Sequence, residues 1–215
     1  MTAPTAIDAH NVGFGRQHGR SLPVMRVIAG EFAGRKLVAP EGTTTRPTTD
    51  KVRQALFNSL MSMGVLEGAV VADLYAGSGA LGIEAISRGA DRCVFVERDR
   101  AALAALRQNI AALGIDDRCK VTASDVMAWV PAMRNVDIAF IDPPYAFDAW
   151  PALLAVVDVG LVIAEADDPV AAPEGWEQLR SRRYGRTWVT TLQATLQAPT
   201  QPSPTRPSPT RQRLA

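Results

Sequence analysis

Asp73-Leu-Tyr-Ala-Gly77-Ser-Gly79-Ala-Leu-Gly82 is the stretch that decides the fold. Val70 to Leu74 ahead of it is apolar and rich in branched residues, as a strand buried on both faces requires. ALGIEAISRG (80–89) behind it reads as a helix. The glycines fit G-x-G-x-x-G. In that frame Gly77 permits the tight turn, Gly79 lets a ligand approach the backbone, and Gly82 lets helix and strand pack closely. Outward from the loop the alternation continues. RCVFVE (92–97), CKVTAS (119–124), VDIAFIDPP (136–144) and LVIAEA (161–166) read as strands. DRAALAALRQNIAALG (99–114), DVMAWVPAM (125–133) and DAWPALLAVVD (148–158) read as helices between them. Strands that alternate with helices predict an α/β fold with a parallel sheet covered on both faces. EQLRSRRYGRTWVTTL (177–192) predicts two strands meeting near Tyr184-Gly185. The expected sheet is therefore seven-stranded and mostly parallel, closed by a C-terminal antiparallel hairpin.

The flanks differ from this middle. Residues 26–38 read as two short strands around a glycine turn, a small N-terminal β-hairpin. Val52, Ala55, Leu56, Ser59, Leu60 and Met63 recur at helical spacing, with Thr48, Thr49 and Asp50 as N-cap candidates. Residues 1–24 show no period and are read as a flexible leader. Residues 198–215 hold five of the 15 prolines, three Arg and no acid, and are read as a disordered tail. The expected domains are thus a leader (1–24), a hairpin-and-helix extension (25–64), the α/β domain (65–197) and the tail (198–215).

Composition narrows the chemistry. The 215 residues carry 23 Lys+Arg and 22 Asp+Glu, a net charge of +1. The sum conceals a division. Residues 25–197 hold 18 basic and 21 acidic groups, yet 25–53 hold six basic against three acidic, and 180–186 hold four Arg and no acid. Two basic segments flanking an acidic body suit contacts to a phosphate backbone. Arg26, Arg35, Lys36, Arg46, Arg53, Arg182 and Arg183 are the substrate-binding candidates, with Lys51, Arg180 and Arg186 in the same clusters. Both histidines, His10 and His18, lie in the leader. A core without His excludes a Ser–His triad, a His general base and a His-ligated zinc, and no metal is expected. Cys93 and Cys119 cannot build a disulfide framework, which suits a reducing cytoplasm. No apolar run reaches membrane-spanning length, and the leader lacks a signal-peptide core.

Two constellations carry chemistry. Glu97 ends the second strand, 20 residues after Gly77, where a carboxylate can accept both hydroxyl protons of a ribose. The cofactor then contains adenosine. Asp73 at the end of the first strand would repel a pyrophosphate, but it suits a cationic ligand such as the amino group of S-adenosylmethionine. Asp125 can accept from an adenine amine, cap the following helix, or do both. Ala76 in the loop and Val126 beside Asp125 complete the expected cofactor site. The second constellation is Asp142-Pro143-Pro144-Tyr145, at the end of the fourth strand. The Asp142 side chain and the Pro143 carbonyl can hold the two hydrogens of a planar amine and free its lone pair for attack on an electrophilic methyl. Tyr145 can stack on the ring that carries the amine. Positioning then supplies most of the rate, and a paired base must be extruded to reach the pocket. Trp129 and Trp150 are assigned to the core.

These motifs in this order resemble the class I S-adenosylmethionine-dependent methyltransferases, whose fold is Rossmann-like. Arg26-Val-Ile-Ala-Gly30, Gly34-Arg35-Lys36-Leu37, Arg46-Pro47-Thr48-Thr49-Asp50, Leu56-Phe57-Asn58 and Tyr184-Gly185 further resemble the RsmD family. That resemblance covers about 25–193. It implies S-adenosylmethionine contacts at Gly77, Gly79, Glu97 and Asp125, and amine recognition at Asp142–Tyr145. It also implies methylation of a guanine N2 amine in small-subunit ribosomal RNA, naked or in its assembling particle, by a cytoplasmic monomer. Val157–Leu161 looks shorter than the family's link into the fifth strand. Rival readings are a DNA adenine-N6 methyltransferase, a nonenzymatic RNA-binding protein of the same fold, and an NAD(P) dehydrogenase. The last is disfavoured by Asp73.

Overall fold

The computed structural model describes residues 25–40 and 50–195. Arg46, Thr48, Thr49, the leader and the tail lie outside the described residues. The sheet is built from β1 (Val70–Leu74), β2 (Arg92–Glu97), β3 (Cys119–Ala123), β4 (Ile138–Ile141), β5 (Leu161–Ala166), β6 (Trp176–Tyr184) and β7 (Thr187–Ala194). Its strand order is β3-β2-β1-β4-β5-β7-β6. The first five strands in that order pair in parallel, and β7 pairs antiparallel with both β5 and β6. This is the expected mostly parallel, seven-stranded sheet with its antiparallel hairpin, the class I methyltransferase architecture. The order reverses between β1 and β4, so their carboxyl ends open a crevice.

Among the described residues five α-helices complete the layers: α1 (Asp50–Met63), α2 (Ala80–Ser87), α3 (Arg100–Leu113), α4 (Val126–Trp129) and α5 (Trp150–Leu154). Strand alternation divides the core in two. Val71, Phe95, Ile138, Phe140, Ile163 and Val189 pack with residues of α1, α2 and α3 on one face. Ala72, Val96, Ala139, Ile141, Val162 and Leu192 pack with residues of α4 and α5 on the other. All four residues of β4 are buried, because helices cover both of its faces. Asp99 caps α3 by accepting from the Ala102 N–H, and Gly114 ends it in the left-handed conformation.

One expectation changes. The 26–38 hairpin is reduced to a single antiparallel bridge, Arg26 to Lys36. This segment is held chiefly by side chains of the α/β domain rather than by its own ladder. Glu84, fully buried in α2, accepts from the Ile28 and Ala29 N–H groups at 2.8 and 3.1 Å. The Ser87 hydroxyl donates to the Ala29 carbonyl and accepts from the Phe32 N–H. Gly30 sits where any Cβ would meet the Ser87 carbonyl oxygen at 1.8 Å. Trp150 is partly buried, packing against the core cluster and also bordering the crevice. Trp129 packs against the core cluster beside α4.

Candidate active site

A cleft of ≈ 1170 Å³ runs along the carboxyl ends of the parallel strands. Its cofactor side is built at β1 and β2. Glu97 ends β2, and its Oε2 accepts from the Gly77 N–H at 2.9 Å. Its Oε1 accepts from the Arg98 and Asp99 N–H groups at 2.7 and 2.8 Å. The carboxylate is thereby oriented by three backbone donors and still borders the cleft. Gly77 holds φ at 55°, and a Cβ there would meet nothing within 4 Å, so the open approach for a ligand lies at Gly77. Gly79 is a correction. It does not border the cleft, and a Cβ at that position would strike Leu106 Cδ1 at 2.4 Å. Its missing side chain serves packing of the loop onto α3. Gly82 packs as expected, with Cys93 Sγ and Phe95 Cε1 each 2.4 Å from a hypothetical Cβ.

Asp73 also has a role that sequence reasoning missed. It is 2% exposed, and its Oδ2 accepts from the Gly82 N–H at 2.8 Å, tying β1 to the first turn of α2. Burial pushes its carboxyl up to about 8. It still lines the cleft, so an approaching cation would favour its ionised form. Asp125 caps α4, with Oδ1 accepting from the Met127 and Ala128 N–H groups. Its Oδ2 takes the Arg98 guanidinium at 2.9 Å. The capping alternative is therefore realised, and the cleft wall beside it is made by Ser124 and by Val126, which is 2% exposed. Ala76 is also buried at the wall.

The substrate side is built at β4 and β5. Asp142, Pro143, Pro144 and Tyr145 all border the cleft, one strand across from Gly77. Tyr145 is 64% exposed, and Ala146 after it holds φ at 63°. Tyr75 of the glycine loop likewise holds φ at 63°. Non-glycine residues in that region persist where surrounding structure imposes them, often at functional sites. Tyr75, Phe147 and Trp150 form an edge-to-face chain with centroids 5.7 and 5.2 Å apart. Burial, and then the Asp125 carboxylate, raise the Tyr75 hydroxyl above its ordinary value. Sequence reasoning missed this chain. The signal was present as Tyr75 inside the glycine loop and as Phe147 and Trp150 just after the Asp142–Tyr145 turn. Glu165 to Pro173, which closes the far wall, gave no signal at all.

Comparison with known proteins follows from this geometry. Residues 25–193 match the family described as Conserved hypothetical protein 95. Ribosomal RNA small subunit methyltransferase D of Haemophilus influenzae is 30% identical over 174 residues, 75% of this chain and 89% of that protein. The Bacillus subtilis protein YlbH is 39% identical over 179 residues, 77% of this chain and 96% of YlbH. The solved structure of yhhF from Escherichia coli superposes with a TM-score of 0.71 at 32% identity, covering 81% of this chain and 99% of that one. The chain belongs to the RsmD family.

The cleft of this RsmD-family chain fits S-adenosylmethionine. It offers a backbone cradle at Gly77, an oriented carboxylate at Glu97 for the ribose, a buried carboxylate at Asp73 toward a cation, and an apolar wall at Val126 for an adenine. The basic candidates are divided. Arg26, Arg35 and Lys36 are exposed on the extension, and Arg35 also donates to the Ala112 carbonyl at 2.6 Å. Arg53 is a correction. It is 1% exposed, lies 3.7 Å from Glu84, 3.2 Å from Asp50, and donates to the Arg26 carbonyl. Burial lowers its pKa, with Glu84 and Asp50 opposing. Arg53 holds the extension, and it does so from a buried position that also borders the cleft. Arg182 and Arg183 are both exposed, but alternation along β6 sends them to opposite faces. Arg180 and Arg182 share the α1 face, where Arg180 reaches Ser59 at 3.4 Å.

Proposed function

We propose that this chain transfers a methyl group from S-adenosylmethionine to the exocyclic N2 amine of a guanine in small-subunit ribosomal RNA. The observation that carries the reading is the shared cleft. The Asp142–Tyr145 turn and the Gly77–Glu97 cradle border one cavity on either side of the strand-order reversal. The printed name of the Haemophilus relative supports small-subunit ribosomal RNA as the acceptor. When bound, S-adenosylmethionine supplies an electrophilic methyl on a positively charged sulfur.

The residues divide the work. Glu97 and the Gly77 backbone fix the ribose and the loop. Asp142 and the Pro143 carbonyl each accept one hydrogen of the amine, which points the nitrogen lone pair at the methyl. With the cofactor bound, that lone pair would take up the methyl while the sulfur kept the electron pair of its broken bond. The positive charge of the alkylated amine would then lie beside the Asp142 carboxylate, and its proton would pass to solvent at the cleft mouth. Tyr145 stacks the base. Arg26, Arg35, Lys36 and Arg182 hold the backbone. In this reading the enzyme acts as a monomer on ribosomal RNA in the cytoplasm. No described helix is long and apolar enough to cross a membrane.

The test is to offer methyl-labelled S-adenosylmethionine with small ribosomal subunits, bare ribosomal RNA and plasmid DNA. Label in the subunit or its RNA is expected. Label in DNA alone would overturn the proposal in favour of a DNA adenine methyltransferase, and no label with the cofactor bound would favour a binding protein.

A further inference from the structure

We propose that Glu165 is the residue that selects guanine, by accepting the ring N1–H while Asp142 holds the N2 amine. The inference rests on the proposed function and names what that site reads. Ile141 of β4 and Ala164 of β5 are the last parallel partners of the pair, and Asp142 and Glu165 are the residues that directly follow them, both at the cleft edge. Side chains alternate along a strand. Ile138 and Phe140 belong to the α1 face, which gives Asp142 the same face; Ile163 gives it to Glu165. Val189, the antiparallel partner of Glu165, packs in the same cluster. The two carboxyl-bearing residues therefore leave adjacent strands on the same side of the sheet, one position past a paired rung. Both border the cleft, and Glu165 is half-buried. Leu37, Ala39 and Pro40 of the extension roof the same cavity.

The chemistry of the nucleobases turns these two residues into a filter. On guanine the N2 amine neighbours N1–H, so two adjacent groups donate and two acceptors match them. On adenine the N6 amine neighbours an unprotonated N1, and on cytosine the N4 amine neighbours an unprotonated N3. Either base, with its amine on Asp142, would turn an acceptor toward Glu165. Such a mismatch rejects a competitor more strongly than added contacts favour the right base. A flipped base is read along this edge. A carboxylate on N1–H also opposes the positive charge that develops on the attacking amine and its ring.

The experiment uses the full chain and small-subunit RNA ligated to carry either guanine or 2-aminopurine at the nucleotide that the wild-type protein methylates. 2-Aminopurine keeps the N2 amine but has no N1–H. The wild type is expected to prefer guanine by roughly 10- to 100-fold. Glu165→Gln should slow guanine by a similar factor and collapse or invert the preference, because its amide N–H can donate to the unprotonated N1. Glu165→Asp, slower but still an acceptor, should keep the guanine preference. S-adenosylmethionine affinity should be unchanged in both variants. A Glu165→Gln enzyme with the wild-type ratio, or one that loses cofactor binding along with activity, would overturn the assignment. A wild type that makes no N2-methylguanosine would defeat the parent reading, whereas N2-methylguanosine with an unchanged ratio would defeat this one alone.

Discussion

On the β2–β3 side of the cleft, Glu97 and Asp125 accept hydrogen bonds from the N–H groups of Gly77, Arg98, Asp99, Met127 and Ala128. On the β4–β5 side, Tyr145 stands 64% exposed and the chain turns through a positive φ at Ala146. The cofactor side is held by hydrogen bonds within the chain itself, and such preorganisation lowers the ordering cost of binding. The substrate side presents surface for a base that must first leave its stack. A third region joins them. The extension roofs the cleft at Leu37, Ala39 and Pro40, and it is pinned by Glu84, Ser87 and Asn109. Asn109 donates to both the Val38 and Ser78 carbonyls, which links the extension to the glycine loop.

The contrast can be broken in order of effect. Asp142→Ala should lower the rate of transfer by roughly 10²–10³-fold with cofactor affinity little changed, since only the amine loses its acceptor. Parallel measurements of label transfer and calorimetric cofactor binding check this; loss of both together would erase the distinction between the two sides. Glu84→Ala leaves Arg53 and Arg88 buried without their carboxylate, which should cost about 3–5 kcal/mol in denaturant unfolding. A change within about 0.5 kcal/mol would show that the extension is held elsewhere. Glu97→Ala removes a charged acceptor from the ribose and from the loop, and should weaken cofactor binding by about 1.5–3 kcal/mol, read by titration calorimetry.

Two smaller effects sharpen the picture. Arg182→Glu should weaken RNA binding and lower the salt slope by about one unit. Arg183→Glu, on the opposite face of β6, should do less, and equal effects would mean that RNA wraps the hairpin edge. Asp73 carries the pH dependence. Burial raises its folded pKa from an ordinary 3.8 to about 8, so the folded state retains a proton that the unfolded chain has lost. That contribution to stability is complete below pH ~4 and is lost as pH rises toward about 8. Thermal scans should therefore show Asp73→Asn gaining on the wild type between pH 5 and 8. A cation binding beside Asp73 favours the ionised form, so wild-type cofactor affinity should rise over the same range and the variant's should not. A pH-independent difference would place the cofactor's charge elsewhere.

How legible each region was follows from the range of its interactions. The cofactor loop and the Asp-Pro-Pro-Tyr turn are local: residue type and spacing within one strand–turn–helix unit nearly determine the geometry. The mostly parallel seven-stranded sheet and its closing hairpin were readable for the same reason, from period and turn residues; the strand order was not. What was not readable depended on distant partners. Arg53 looks like any helix-surface arginine until Glu84, 31 positions later, is folded against it. Gly79 is spaced like a ligand-approach glycine, but Leu106 of α3 occupies the space beside it. Glu165 lies near the end of an ordinary strand, and the role proposed for it depends on the adjoining β4 edge rather than on its own segment. The opposed faces of Arg182 and Arg183 follow from simple alternation, which counting charge over a segment ignores.

The most direct measurement is the identity of the modified nucleoside. Small-subunit RNA methylated by the protein would be digested and separated by mass spectrometry. The geometry of Asp142 beside Glu165 predicts a single new product, N2-methylguanosine, absent with Asp142→Ala. N6-methyladenosine, or a methyl group on ring carbon or ribose, would contradict the account.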